Sequence, residues 1–156
     1  MHEIIGQPRK YRKAFNFAVE IDGLEIAWFK TVSGLERTVS VVEQHEAGRA
    51  RPASKSPGKV KYEDVVLEVG TTDNRELWDW SEQVYAAAAD SGRPDGSYEK
   101  NLAVVERDRD GTELGRWNIF SAWPTKFSAG AFDATSEDNR VQSVTLAIDR
   151  FEYQQA

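Results

Sequence analysis

The clearest pattern in the chain is a strict alternation of apolar and polar residues near its start. In residues 15–21 every second side chain is apolar: Phe15, Phe17, Val19 and Ile21. This period of two predicts a half-buried strand. Asp22-Gly23 follows at once, and Leu24, Ile26 and Trp28 resume the alternation. Two alternating runs joined by Asp-Gly predict a hairpin, because a type I′ turn needs positive φ at both central residues.

Further apolar runs predict four or five more strands. Residues 38–46 follow a break at Ser33-Gly34, and residues 60–70 change their apolar parity near Glu63-Asp64, where we expect a bulge or a bend. Residues 101–107 and 113–121 flank Asp110-Gly111 and predict a second hairpin. Trp123-Pro124 then interrupts the pattern. The final strand is predicted from the alternation of three residues, Val144, Leu146 and Ile148.

One helix is predicted after Gly70. Asp73 can cap it, and Glu76 stands three residues later, as in a capping box. A broad apolar stripe recurs at helical spacing: Leu77, Trp80, Val84 and Ala88, flanked by Trp78, Ser81 and Tyr85. Ser91-Gly92 and Pro94 end the helix.

These elements predict a mainly β (α+β) fold with one helix packed on a sheet, as a single domain over residues 1–156. Residues 1–13 are expected to form an extended N-terminal arm. Residues 46–59 are expected to form a long exposed inter-strand loop, because glycine, proline and serine dominate there and large apolar side chains are missing.

The composition excludes several classes of protein. The 156 residues include no cysteine, which rules out a disulfide framework, a thiolate zinc site and a cysteine nucleophile. The net charge of −6 is unlike that of a protein that coats a phosphate backbone. No run is long enough to cross a bilayer. The first residues lack the apolar segment of a secretory signal, so we expect synthesis and folding in the cytosol.

Candidate chemistry is sparse, and we expect no catalytic, cofactor or metal site. His2 lies in the predicted arm, so a Ser-His-Asp site would have to use His45, and no nucleophile elbow accompanies it. Two histidines without cysteine make a zinc site improbable. The run Asp108-x-Asp110-Gly111-x-Glu113 lacks the further ligands of a calcium loop and is better explained as a hairpin turn. Nothing places the adjacent acids Glu63 and Asp64 in a pocket.

Two other clusters are open to more than one interpretation. The predicted loop and the residues after it hold a local excess of basic side chains: Arg49, Arg51, Lys55, Lys59 and Lys61. These would suit an acidic partner, either nucleic acid or a second copy of this acidic chain, or they could simply be solvated. Four tryptophans, Trp78, Trp80, Trp117 and Trp123, could line a ligand pocket, but their spacing favours a core.

Taken in order, three segments resemble one known family. They are FNFAVEIDGLEIAWFKTVSGLE at 15–36, SPGKVKYEDVVLEVGTTDNRELWDW at 56–80, and the Trp123-Pro124 break before a late alternating strand. Together these are similar to the inner-tube proteins of contractile phage tails and of extracellular contractile injection systems. The most specific parts are Ser33-Gly34-Leu35, Pro57-Gly58 with Lys61-Tyr62, and residues 75–80. Residues 90–116 carry none of the resemblance.

The resemblance implies a β-sandwich or half-open barrel with an outer helix, joined into hexameric rings. Sheets of neighbouring subunits would form one continuous lumen-lining β-barrel, and rings would stack into a hollow tube inside a contractile sheath. The loop at 46–59 would reach into the adjacent ring. The implied partners are sheath, baseplate and tube-cap proteins and a lumenal cargo of protein or DNA, without membrane anchoring. The particle would assemble in the cytoplasm and could be released from the cell.

Several alternatives stay open from the sequence. The tube could belong to a phage tail that conducts DNA rather than to an injection system, or the ring to type VI secretion. The chain could instead be a monomeric β-barrel with an aromatic-lined ligand pocket, or a hydrolase using His45. Within the tube interpretation, polar strand positions such as Ser143, Thr145 and Asp149 are candidates for the lumen, and the basic loop residues are candidates for contacts between rings.

Overall fold

The computed structural model describes residues 11–12, 16–26, 29–44, 54–71, 75–89 and 98–156, with backbone alone at 24–26. In this part of the chain there are ten strands and one helix. The bounds are β1 Phe17–Ile21, β2 Leu24–Ile26, β3 Phe29–Ser33, β4 Arg37–Gln44, β5 Ser54–Tyr62, β6 Val65–Gly70, α1 Glu76–Ala89, β7 Lys100–Arg107, β8 Glu113–Ser128, β9 Val141–Ala147 and β10 Arg150–Gln155.

The predicted first hairpin is confirmed. Strands β1 and β2 pair antiparallel, with Ile21 opposite Leu24. Asp22 and Gly23 both have positive φ, 51° and 81°, as a type I′ turn requires. The turn also joins the next strand of the sheet, because the amide of Asp22 donates to the carbonyl oxygen of Asn101 at 2.9 Å.

One long sheet is folded over by strand β8. The strand order is β2-β1-β7-β8-β9-β6-β3, and β10 also pairs with β8. The first part of β8 pairs with β7 and β10, and its last part pairs with β9. Ser121 lies between the two parts with φ at 54°, and its amide donates to the side-chain oxygen of Asn101. The left-handed backbone at Ser121 therefore marks the point where the chain passes from one half of the sheet to the other.

The prediction that Trp123-Pro124 interrupts the strand is wrong. Strand β8 continues through both residues to Ser128. The pairing register with β9 shifts between Pro124 and Lys126, and such irregularities are where a sheet tolerates a residue without an amide hydrogen.

The core lies between the two halves of the folded sheet. Alternate residues of β1, β7 and β8 supply one side, and alternate residues of β6 and β9 supply the other. The residues are Val19, Ile21, Leu102, Val104 and Ile119 against Val65, Leu67, Val144 and Leu146. Strands β2 and β3 end the sheet order, and β10 pairs with β8 alone, so each of these three strands pairs on one side only within the described chain. The sheet is not closed, and the mainly β fold with a half-open barrel and one helix is confirmed for the described residues.

Helix α1 covers the core with one aromatic side chain. Trp80 is buried, and its indole N–H donates to the carbonyl oxygen of Tyr98 at 2.6 Å. Tyr85, which the sequence pattern placed beside the apolar stripe, is instead 70% exposed. The predicted cap Asp73 and the predicted stop residues, Ser91-Gly92 and Pro94, lie outside the described residues.

Three boundaries differ from the sequence predictions. Residues 54–59 of the predicted loop belong to β5, because they pair with the β-branched strand β4 despite their own serine, proline and glycine content. Glu63-Asp64 connects β5 to β6, which lie in different sheets, so of the two alternatives predicted there the chain takes a bend between strands and not a bulge within one strand. Strand β10 was not predicted, since Ile148 was expected to end the last strand. Residues 46–53 and 1–10 lie outside the description.

Candidate functional site

The most prominent surface feature is the hairpin of β4 and β5, which forms a two-stranded sheet of its own. All residues of β4 are exposed, and almost all of β5 as well. A hairpin with no third strand is marginally stable alone. At about 3.3 Å per residue its strands extend for roughly 25–30 Å. A hairpin of this length that pairs with no further strand in the described chain indicates a surface that contacts another molecule.

The pairing register divides this hairpin into two faces. Val39 lies opposite Val60, and Val41 lies opposite Pro57. Because side chains alternate between faces, these four residues share one side, which we call the apolar face. The other side is mainly polar, with Thr38 opposite Lys61 and Gln44 opposite Ser54. Val41 is 62% exposed and Val60 is 55% exposed.

A bulge fixes the shape of the hairpin midway along its length. The register shifts between Val39 and Val41, and the amide of Lys59 donates to Ser40 Oγ at 2.7 Å. Gly58 lies against this point: a Cβ there would come within 2.4 Å of Ser40 Oγ. The Pro57-Gly58 pair therefore serves the bulge, since one residue has no amide hydrogen to donate and the other no side chain to clash.

The base of the hairpin rests on the body of the protein. The amide of Glu63 donates to the carbonyl oxygen of Glu36 at 3.0 Å. The Tyr62 ring meets the Phe151 ring edge to face, with centroids 5.3 Å apart. Tyr62 lies opposite Arg37 in the register and so shares the apolar face. The face that packs on the body at its base thus continues outward as exposed valines.

The predicted basic residues are spread along the hairpin. Lys55 lies opposite Glu43 in the register, and Lys61 lies 3.6 Å from Glu63 as an exposed ion pair. Lys59 lies at the bulge. Arg49 and Arg51 lie outside the described residues. Lys55 and Lys61 thus each have a carboxylate as a neighbour, and the described basic residues are spread along the strand.

The open side of the folded sheet carries an apolar groove of about 320 Å³. It lies where β3, the last strand in the order, faces β1 and β7. Apolar side chains make up most of its wall: Phe17, Val32, Leu35, Val104 and Trp117. Lys30 and Glu106 lie at its margin. The groove is the place where the barrel would close if another strand or side chain filled it.

Two of the three lumen candidates, Ser143 and Thr145, lie on the sheet face away from the core. On β9, Val144 and Leu146 point inward and are fully buried, so Ser143 and Thr145 are on the opposite face. Their β6 neighbours across the ladder are Glu68 and Val66. Asp149 follows β9 and is exposed. This face is largely polar, and nothing within the described chain covers Asp149.

The candidate calcium residues hold a turn instead. Asp110 Oδ1 accepts from the amide of Thr112 at 2.9 Å, and this bond lowers the pKa of Asp110. Glu113 accepts from the guanidinium of Arg116 at 2.8 Å, which lowers the pKa of Glu113. Among the described residues no group of acidic or histidine side chains is arranged to hold a metal ion. His2 and His45 lie outside this part of the chain.

The tryptophans mostly pack in or around the core. Trp80 belongs to the buried cluster, and Trp117 packs partly buried against it. The Trp123 ring meets the Tyr98 ring at 6.0 Å, and the Trp78 ring meets the Phe127 ring at 5.2 Å. The tryptophan rings therefore pack against the core or against other aromatic rings, which agrees with the core interpretation that their spacing favoured. Trp78 nevertheless keeps 41% of its surface exposed.

Hydrogen bonds join Arg12 to the last strand, and we call this arrangement the Arg12 clamp; no sequence pattern predicted it. The Arg12 guanidinium donates to Tyr153 Oη at 2.6 Å and to the Glu106 carboxylate. These hydrogen bonds raise the pKa of Arg12. The Tyr153 ring covers Gly115, where a Cβ would lie 2.6 Å from Tyr153 Oη. These contacts could have been predicted only if β10 had been recognised as a strand that pairs with β8.

Comparison with known proteins gives a consistent picture. The sequence model of a family described as T4-like virus tail tube protein gp19 matches residues 13–152. No curated protein matches the chain in sequence.

Three solved structures illustrate the similarity. One is a sheath–tube complex of an extracellular contractile injection system, PVC, in the extended state (27% identity, 97% of this chain and 95% of that chain, TM-score 0.77). Another is the sheath/tube terminator of PVC (28% identity, 96% and 99%, TM-score 0.77). The third is the tube-terminating cap of the anti-feeding prophage (23% identity, 99% and 100%, TM-score 0.82), which supports the fold alone.

Proposed function

The chain belongs to the T4-like virus tail tube protein family, and we propose that it is the inner-tube subunit of a contractile injection system. Six copies form a ring, and rings stack into a hollow conduit. Contraction of a surrounding sheath drives this conduit into a target and delivers cargo. The subunit itself is structural and carries no catalytic role.

The observation that carries this proposal is the incomplete surface of the single subunit. Its hairpin exposes an apolar face with no partner strand beyond β4 and β5 in the described chain. Its sheet has unpaired edges at β2, β3 and β10 in that part of the chain and does not close. Unpaired sheet edges are an aggregation hazard, which ring closure removes. Full burial of a valine contributes about 1.5–3 kcal/mol, so covering the apolar face supplies several kcal/mol per contact.

The proposed partners follow from where the relatives occur. Chains 27–28% identical over nearly the whole length are found in a sheath–tube complex and in a sheath/tube terminator. We therefore assign this chain a sheath, a baseplate and a tube cap as partners, in a particle that acts outside the cell that makes it. Among the described residues no helix has both the length and the hydropathy to cross a bilayer.

The polar sheet face is assigned to the lumen. Ser143 and Thr145 lie on the side away from the core, and Asp149 is exposed in the connection from β9 to β10, so that hydroxyl and carboxylate groups would keep a channel hydrated. Cargo would slide along such a wall without apolar adhesion. Replacing Ser143 and Thr145 together by leucine should slow or block cargo passage without preventing ring formation, and electron microscopy of cargo-filled tubes would measure it.

The hairpin is assigned to the contact with the adjacent ring. Its basic residues, Arg49, Arg51, Lys55, Lys59 and Lys61, would face the acidic body of the next subunit, in a chain of net charge −6. Salt would weaken such a contact. Changing Arg49, Arg51, Lys55 and Lys59 to serine should shorten tubes and abolish their salt dependence. Variant tubes as long as those of the parent protein at every salt concentration would show that the contact is not electrostatic.

A phage tail tube that conducts DNA is the second candidate, because the matching family model describes a tail tube protein of T4-like viruses. The genomic neighbourhood distinguishes the two. Sheath, baseplate and ATPase genes without capsid genes support an injection system, and capsid genes support a phage tail.

The proposal is tested on purified protein by negative-stain electron microscopy and mass photometry. We expect rings with the mass of six chains and stacked rods at high protein concentration. A species that keeps the 17.6 kDa mass of one chain at all concentrations, with or without sheath protein, would contradict the proposal.

A further inference from the structure

The loop of residues 129–140, which we call the Phe132 loop, joins β8 to β9 and presents an exposed aromatic ring. Phe132 is 78% exposed, more than any other large apolar side chain among the described residues. Long loops without secondary structure often carry function. Aromatic residues also dominate the energetics of protein interfaces. The ring is therefore a candidate contact point.

The Phe132 loop is held in one conformation. The Arg140 guanidinium lies over the Phe132 ring, 4.3 Å from its centroid, and Arg140 Nη1 donates to the carbonyl oxygen of Ala129 at 2.9 Å. Gly130 has φ at 83°, and a Cβ there would lie 2.2 Å from the carbonyl oxygen of Val141. The amide of Thr71 donates to the carbonyl oxygen of Arg140. A prearranged loop loses little conformational freedom on binding.

A complementary cleft lies at the other end of β8. Its volume is about 430 Å³, and we call it the arginine cleft. Its wall combines guanidinium groups with apolar surface and one carboxylate: Tyr11, Arg12, Arg107, Asp108, Arg109 and Leu114. Guanidinium groups stack on aromatic rings and bind carboxylates with two hydrogen bonds. The cleft therefore suits an aromatic ring flanked by acidic residues.

The charges of the two features are opposite. The Phe132 loop holds Asp133, Glu137 and Asp138 against Arg140, a net charge of three negative and one positive, or −2. The arginine cleft holds three arginines against Asp108 and against Glu106, which binds Arg12, a net charge of +1. Opposite charges steer association and fix its register.

The two features lie at opposite ends of strand β8. The arginine cleft lies at the start of β8, where Arg12 Nη2 is 3.5 Å from the carbonyl oxygen of Leu114, and the Phe132 loop follows Ser128 at the end. Sixteen strand residues span roughly 50 Å when straight, and the bend at Ser121 shortens this only in part. Two separated, complementary patches on one chain produce head-to-tail association between copies.

We propose that the Phe132 loop of one subunit docks in the arginine cleft of a second copy of this chain. The inference rests on the proposed tube function, and it adds a contact separate from the hairpin. Each subunit gives one loop and receives one. The contact therefore repeats without ending at a dimer.

The absence of cysteine from the chain allows a direct test by disulfide crosslinking. The variant Thr112→Cys/Ala134→Cys puts one thiol beside the cleft and one in the loop, and leaves Phe132 and the arginines intact. Oxidation of the assembled protein should give a ladder of covalent oligomers on a non-reducing gel. Each single-cysteine variant should give none, because the contact is head to tail. The matched control Thr112→Cys/Tyr85→Cys, with its second thiol on the exposed side of α1, should also give none.

Adding Phe132→Ala to the double-cysteine variant should reduce the ladder about tenfold, corresponding to about 1.4 kcal/mol of contact free energy. Electron microscopy of the same samples distinguishes failure of the docking proposal from failure of the proposed tube function. Rings or rods without a ladder would overturn the docking proposal and leave the tube function standing. Neither assembly nor ladder would contradict both. A ladder equally strong in the Tyr85 control or with Phe132→Ala would mean random collision and would overturn the docking proposal.

Discussion

The substitution Gly34→Ala tests how the body of the protein aims the hairpin. Gly34 lies between β3 and β4, at the root of the hairpin, with φ at 89°. A Cβ at this position would lie 2.1 Å from the carbonyl oxygen of Asp64, a backbone atom that cannot rotate away. Relief of the clash requires the Glu63-Asp64 connection to move, and this connection holds the base of the hairpin.

The expected cost has two separable parts. A non-glycine residue in the left-handed region costs about 1–3 kcal/mol. Forcing atoms into a packed site adds a further 1–3 kcal/mol or so. Gly23→Ala is the matched control, because Gly23 has φ at 81° and open space around its Cβ position. We therefore expect a loss of about 1 kcal/mol for Gly23→Ala and about 3 kcal/mol for Gly34→Ala.

Urea and thermal denaturation measure both variants. For a domain of this size, about 3 kcal/mol lowers Tm by roughly 6–12 °C. Two protein concentrations separate subunit stability from assembly, since self-association would make Tm depend on concentration. We also expect Gly34→Ala, but not Gly23→Ala, to reduce tube formation at temperatures where both are folded. Equal losses of stability for the two variants would refute the claim that the Asp64 carbonyl constrains Gly34.

Three further predictions concern the core, a charged turn and the bend. Ile119→Ala, at a fully buried position, should lower the free energy of unfolding by about 2–5 kcal/mol in urea denaturation. Val41→Ala on the exposed hairpin should change the free energy of unfolding by no more than about 0.5 kcal/mol and should reduce tube formation instead. Glu113→Gln should be less stable than the parent at pH 7. Arg116 lowers the folded-state pKa of Glu113 below its ordinary 4.5. The difference in free energy of unfolding between the parent and the variant should therefore shrink as the pH falls through that lowered pKa. A difference that stays unchanged down to about pH 2 would contradict this prediction. Ser121→Val should destabilise by about 1–2 kcal/mol and Ser121→Gly should not, because φ there is positive; equal thermal shifts would argue against strain.

Local sequence patterns correctly predicted those elements that depend only on hydrophobic periodicity or on turn residues. The Asp22-Gly23 turn, the alternation of Val144 and Leu146, and the position of Trp80 in the core needed only period and turn chemistry. The open half-barrel came from resemblance and not from period alone, because the pairing of β3 with β6 joins residues far apart in sequence.

The sequence predictions were wrong where the conformation of a segment depends on the strand with which it pairs. Residues 54–59 look like a loop by composition, yet β4 supplies hydrogen bonds that make them a strand. Pro124 lies in a strand because the register shift beside it removes the need for an amide donor. The Arg12 clamp and the arginine cleft depend on β10 and on the β7–β8 turn, and neither has a motif. The apolar face of the hairpin required the register, which the sequence did not fix.

Electron cryomicroscopy of the assembled protein, at a resolution that traces individual strands, tests the central claim most directly. We predict six chains around a hollow axis, with the free margins of β2 and β3 and the apolar groove beside them occupied by residues of neighbouring chains. A single unassembled chain whose sheet margins are covered by its own residues, or whose groove holds a small ligand, would contradict the account.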